Sequence, residues 1–174
     1  MKKYLEQIII SEPNWCVPAV LEMVLRHYGI NTLSQQDIAE QLEIVPATDK
    51  IEHKKWGTQI KENTVNEFFE ANKIPLHESF IPIGHFMDDY FMIDKIQGLL
   101  EKDITVVCGY NYTWLYGNQE DSFQHVSIIT EILERGNKVC LLDPGPKGAG
   151  YKIVKAEDLF YAIRAAQDGL WCIS

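Results

Sequence analysis

The spacing of apolar residues changes character near residue 101 of this chain. Before that point they recur at intervals of three and four; after it they gather in short β-branched runs separated by turn residues. Helices first and a sheet second, without regular βαβ alternation, exclude a doubly wound fold. The pattern predicts an α+β fold, with N-terminal helices packed on a C-terminal antiparallel sheet. At 174 residues the chain can build a core without metal or disulfide staples, and it carries no repeat, low-complexity tract or linker. Residues 1–174 therefore read as a single domain.

The helix with the clearest limits begins near Pro18. Val17, Val20, Leu21, Val24, Leu25 and Tyr28 fall on one face over three turns. Glu22 and Arg26 stand four apart on another face and can pair there. Gly29 ends the run as a C-terminal cap residue. Proline has no N–H and is tolerated only in a first turn, so Cys16 lies at the first helical position or just outside it. There the aligned peptide dipoles act like about half a positive charge.

The remaining elements follow from caps and breakers. Ser34 with Asp37 resembles a capping pair opening a short helix through Ile38, Ala39 and Leu42. Residues 45–57 read as a loop. Asn63 or Thr64 caps a helix carrying Val65, Phe68 and Phe69, which ends before Ile74 and Pro75. A short strand over 77–83 precedes a helix over 88–101 whose expected buried side is Tyr90, Phe91, Ile93, Ile96, Leu99 and Leu100. Strands are expected over 104–108, 125–133, 138–142, 151–154 and 170–173, with a helix over 156–166. Residues 109–122 read as a long aromatic connection, and Gly136 with Asn137 as a tight hairpin turn.

Several function classes are excluded early. A net charge of −9 argues against nucleic acid or anionic membrane as the main partner. The opening MKKYLEQIII is too short in its apolar run for a secretory signal, and no window approaches a transmembrane helix. A cytoplasmic location is the expectation, with the four cysteines reduced. Cys108, Cys140 and Cys172 sit among apolar, strand-like residues and read as inert buried thiols. No CxxC pair exists, and His77, His85, Asp88 and Asp89 match no ligand spacing, so neither metal nor organic cofactor is expected. The glycine-rich residues 145–150 lack the context of a phosphate loop and read as a turn; His27 reads as a surface or half-buried histidine.

The chemistry concentrates in three remote residues. Cys16 sits at a helix tip, His125 on a strand, and Asp143 where a later strand ends. A thiolate attacks a carbonyl, an imidazole shuttles a proton near neutral pH, and a carboxylate holds the right tautomer. That set assigns Cys16 as nucleophile, His125 as base and then acid, and Asp143 as orienter. The aromatic residues Tyr110, Tyr112, Trp114, Tyr116 and Phe123 either stack on a ligand near His125 or anchor their own loop. Trp15, Tyr112 and Trp114 are the substrate-binding candidates.

NWCVPAVLEMVLRHYG resembles the Cys-Gly-Pro-Ala segment of the papain-like cysteine peptidase superfamily, in its bacteriocin-leader-peptidase-like (double-glycine peptidase) branch. DITVVCGYNYTWLYG resembles the strand before that family's histidine, QHVSIITEI the histidine strand, and NKVCLLDPG the strand ending in Asp-Pro. The likeness runs from about Trp15 to Pro144. It implies a papain-like α+β domain, with Cys16, His125 and Asp143 in the triad positions and a peptide or small amide as substrate. Two positions depart from the family. Val17 replaces the glycine after the cysteine, and Ile10 replaces the glutamine six residues before it, whose amide helps hold the oxyanion. Gln7 and Asn14 are the amides near enough in sequence to substitute. The implied function is a cysteine peptidase or amidase acting through an acyl-thioenzyme. A weakened or inactive module that binds a peptide or protein partner, or an acyltransferase using the same triad, are the alternatives.

Overall fold

The protein is described by a computed structural model covering residues 7–12, 14–44, 64–117, 123–145 and 148–174. Its residues form two compact units, one of Leu5–Glu78 with Pro144–Ala149 and one built from Ser79–Asp143 and Gly150–Ser174.

The first unit is helical. Its longest helix, α1 (Cys16–His27), has Cys16 as first residue and Pro18 in its first turn, as the sequence predicts. Val17, Val20, Leu21, Val24 and Leu25 are buried. At its end the Gly29 N–H donates to Arg26 O and the Ile30 N–H to Leu25 O, with Gly29 at φ 79°. That pair of bonds closes a Schellman cap, which needs the left-handed conformation glycine adopts without strain. The expected Glu22–Arg26 pair forms. Glu22 is nevertheless buried, and its second oxygen accepts the Gln35 N–H at 3.1 Å, tying α1 to α2 (Gln35–Gln41). Ser34 and Asp37 form the full capping box at the start of α2. Helix α3 (Thr64–Ala71) buries Val65, Phe68 and Phe69. The expected loop over 45–57 and the Asn63 cap lie outside the described residues.

The second unit is a six-stranded sheet with two helices packed on it. Its strands are β1 (Glu78–Pro82), β2 (Thr105–Asn111), β3 (Gln124–Leu133), β4 (Lys138–Asp143), β5 (Gly150–Lys155) and β6 (Gly169–Ile173). They lie in the order β1-β6-β2-β3-β4-β5, and β2, β3, β4, β5 and β6 pair antiparallel with their neighbours. Helices α4 (Asp89–Glu101) and α6 (Ala156–Ala166) bury Met92, Ile93, Ile96, Leu159, Phe160 and Ile163 in one cluster with Val106, Cys108, Tyr110, Ile129 and Leu141 of the sheet.

Three expectations are corrected here. Helix α4 buries Met92, Ile93, Ile96 and Leu99, leaving Tyr90 75% and Phe91 55% exposed. At 3.6 residues per turn Tyr90 and Phe91 fall outside the arc that Met92, Ile93, Ile96 and Leu99 share, and Met92 takes the inward place. The connection after β2 is shorter than expected. That strand runs to Asn111, whose Oδ1 accepts the Trp114 N–H and caps a further helix, α5 (Tyr112–Tyr116). The β3–β4 hairpin turns through Glu134, Arg135 and Gly136, all at positive φ, rather than through a two-residue Gly136-Asn137 turn.

Candidate active site

Strand parity brings His125 and Asp143 to one face. Side chains alternate between faces, so residues level across a ladder share a face with those two positions away. His125 lies opposite Tyr110, Ser127 opposite Cys108, and Leu141 opposite both Ile129 and Lys152. Tyr110, Cys108, Ile129 and Leu141 belong to the cluster under α4 and α6. His125, Asp143 and Lys152 therefore share that face, at the end of the sheet where β4 stops. Asp143 lies level with Gly150, so Lys152 is its diagonal neighbour, and His125 is diagonal to it from the other side.

The two predicted residues of this unit are in contact. His125 Nε2 is 3.0 Å from Asp143 Oδ1. His125 is 2% exposed and Asp143 is fully buried. A carboxylate on Nε2 keeps the ring proton there and makes Nδ1 the basic nitrogen. Aromatic rings enclose the imidazole. Tyr110 and Tyr112 meet it edge-on, with centroids at 5.7 and 5.5 Å, and Phe123 stacks on it at 6.0 Å. The aromatic segment thus packs its own members around the histidine, while Trp114 stands 54% exposed on α5.

Sequence reading missed Lys152. Its Nζ donates to Asp143 Oδ2 at 2.7 Å and lies 5.4 Å from the Tyr112 ring centroid and 4.8 Å from that of Tyr116. A signal was present in β5. Tyr151 and Ile153 face outward there at 43% and 62% exposure, while the charged Lys152 faces in, the reverse of ordinary patterning. Burial, reinforced by the Asp143 charge, pushes the Tyr110 and Tyr116 hydroxyls well above their usual range. Burial does the same to the Cys108 thiol, with the charges of Asp168 and Asp143 adding to it. Cys108 is thus held as an un-ionised thiol, as expected of an inert cysteine.

Cys16 lies in the helical unit, half-buried, with a free thiol at the first position of α1. Trp15, the N-cap residue, makes no side-chain capping bond, and the first turn holds no acid. No side chain of that first turn therefore offsets the positive end of the helix beside the sulfur. Asn14 has a positive φ of 69°, and its Nδ2 is buried without a hydrogen-bond partner among the described residues. Ile10 donates its backbone N–H to Pro144 O at 3.0 Å, and Gln7 is exposed. No described helix is long and apolar enough to cross a membrane.

The Peptidase_C39 like family matches residues 2–167 of the sequence. Among curated proteins no match was found. Among solved structures, a double glycine motif protease from an AMS/PCAT transporter, in complex with the leader peptide, superposes with a TM-score of 0.56 at 14% identity. The match covers 99% of this chain and 91% of that one. Helices followed by a six-stranded sheet are the papain-like α+β fold, as expected from the sequence.

Proposed function

The chain belongs to the Peptidase_C39 like family, in the bacteriocin-leader-peptidase-like branch of papain-like proteins, and from that premise we propose that it is a cysteine hydrolase cleaving a peptide or amide through a Cys16-His125-Asp143 triad. The observation that carries this reading is the buried His125–Asp143 pair, with Nε2 3.0 Å from Oδ1. It is the base-and-orienter half of such a triad.

The chemistry runs as follows. His125 Nδ1 takes the Cys16 proton, and the thiolate attacks the substrate carbonyl carbon, placing negative charge on its oxygen. The Cys16 backbone N–H and the Asn14 amide are the proposed oxyanion donors. Asn14 is preferred to Gln7 because its Nδ2 is buried and unpartnered among the described residues. Imidazolium then protonates the leaving amine, giving a thioester. Water, deprotonated by His125, releases the acid and regenerates the thiol; an amine in place of water gives the acyltransferase variant. Asp143 keeps the proton on Nε2 throughout and stabilises the imidazolium. The solved relative holds a leader peptide, which makes a peptide segment the favoured substrate here. Trp15, Tyr112 and Trp114 are its proposed contacts, and the cytoplasm is the proposed site of action.

Iodoacetamide tests the assignment. Cys16 is expected to alkylate much faster near neutral pH than Cys108, Cys140 or Cys172, and His125→Ala is expected to remove that advantage by taking away the thiolate's positive partner. Equal labelling of all four cysteines overturns the hydrolase reading. Asn14→Ala should lower peptide turnover by about a hundredfold to a thousandfold while leaving alkylation largely intact. Fast alkylation of Cys16 without turnover of any peptide would favour the second reading, a binding module, which the replacement of the family's glutamine by Ile10 supports.

A further inference from the structure

Asp143 is shared between two positive partners. One oxygen meets His125 Nε2 at 3.0 Å, and the other accepts from Lys152 Nζ at 2.7 Å. Surface lysine pairs are usually mobile and weak. This one differs, because the Lys152 side chain is only 18% exposed, its carboxylate partner is fully buried, and its ammonium lies against the Tyr112 and Tyr116 rings. Tyr112 also meets the imidazole edge-on, so one ring touches both the base and the cation.

The geometry points to Lys152 as a positioning residue that sets the proton affinity of His125 by neutralising the carboxylate between them. A bare buried carboxylate beside an imidazole strongly favours imidazolium, and a base that is permanently protonated cannot accept the thiol proton. With Lys152 in place, the three-group array carries one positive charge less readily, and His125 is held nearer to neutrality. Among the described residues, the other titratable groups around the pair are Tyr110 and Cys108 of β2 and Tyr112 and Tyr116 of α5. Tyr110, Tyr116 and Cys108 all have their ionisation displaced upward by burial, so they stay neutral across the range in which histidine titrates. Lys152 is then the charge whose removal is felt. Across a separation of about 6 Å at an effective dielectric near 20, that effect is roughly one to two pH units.

The proposal rests on the hydrolase reading only for its catalytic consequence, and its test needs no turnover. The imidazole of His125 is titrated by NMR in the full chain, with Lys152→Met, Lys152→Gln and Lys152→Arg compared with the unsubstituted protein. Lys152→Met should raise the His125 midpoint by roughly one to two pH units, and Lys152→Arg, which keeps the charge, should restore it. A midpoint that stays put or falls in Lys152→Met, in a protein whose amide spectrum is native, overturns the proposal. Should Lys152→Met fail to fold, Lys152→Gln retains a donor for Asp143 without the charge and is read the same way. If the midpoint rises but Cys16 shows no enhanced alkylation, the tuning stands and the hydrolase reading falls.

Discussion

Replacing Asp143 by alanine separates the stability of the buried array from its chemistry. His125 and Lys152 both bond to this carboxylate, and the loss of the two bonds is not equivalent. The His125 side chain is 1% exposed and walled by three rings, so its Nε2–H cannot reach water after the carboxylate is gone. Leaving such a donor unsatisfied costs about 1–3 kcal/mol. Lys152, at 18% side-chain exposure, can turn its ammonium to solvent, which limits its loss to about 1 kcal/mol. The sum is about 2–4 kcal/mol, close to the range for breaking a buried ion pair from one side. In a chain of 174 residues that corresponds to about 6–12 °C in Tm. Asp143→Asn keeps an acceptor for Nε2–H and should cost about half as much, chiefly through the lost charge facing Lys152. Urea denaturation followed by tryptophan fluorescence measures both variants. A loss below about 1 kcal/mol for the alanine variant, or equal losses for the two, would refute the claim that His125 depends on this carboxylate for its buried hydrogen bond.

Asp168 accepts from the Gly169 N–H and the Trp171 Nε1–H, yet burial raises its pKa despite those bonds. An acid with a raised folded pKa stabilises the protein most when protonated and loses that contribution as pH climbs above the ordinary carboxylate range, so Asp168→Asn should gain on the parent protein as the pH is raised from about 4; a constant difference in Tm would refute this. A Cβ on Gly169 would meet Ile81 O and Pro82 Cα of the neighbouring strand, backbone atoms that cannot step aside, so Gly169→Ala should lower stability by about 1–3 kcal/mol in urea. The atoms nearest to a Cβ on Gly109 are those of the Asp168 carboxylate, so the cost of Gly109→Ala should shrink markedly in an Asp168→Ala background, a non-additivity read from a double-mutant cycle. Val17→Gly, which restores the family's residue beside Cys16, should cost about 2–3 kcal/mol, because Val17 is 6% exposed on the buried face of α1 and glycine adds its helix penalty.

What was legible in the sequence was what local chemistry decides alone. Pro18 and Gly29 bracket α1 because one residue cannot donate an N–H and the other adopts positive φ freely. Ser34 and Asp37 satisfy each other's backbone within four residues. His125 and Asp143 were readable as a pair through their order and through the ends of their strands. Lys152 was not, because its meaning depends on β5 pairing with β4 in one register, and register is a tertiary fact. The same limit explains α4. Tyr90 and Phe91 carry apolar area suited to a core, yet the stripe through Met92, Ile93 and Ile96 packs on the sheet unit's core and leaves them outside. Helix α5 escaped notice because five residues offer too little periodicity; its visible signal was Asn111 as a capping residue.

Several local rules are broken at residues that the proposed chemistry uses or adjoins in sequence. In the helical unit, Asn14 has a left-handed backbone and an amide buried without a partner among the described residues, each a cost of about 1 kcal/mol or more. Val17 fills space with a β-branched side chain beside the free thiol. Lys152 points a charge inward from an edge strand while Ile153 points out. An inward lysine on an edge has one general use, to discourage pairing with another chain. That use calls for no partner so specific as a fully buried carboxylate already holding an imidazole. These separate local costs fall on residues to which the proposed mechanism gives work: Asn14 as a donor, Lys152 as the charge that tunes the base, and Asp143 as the carboxylate that holds it.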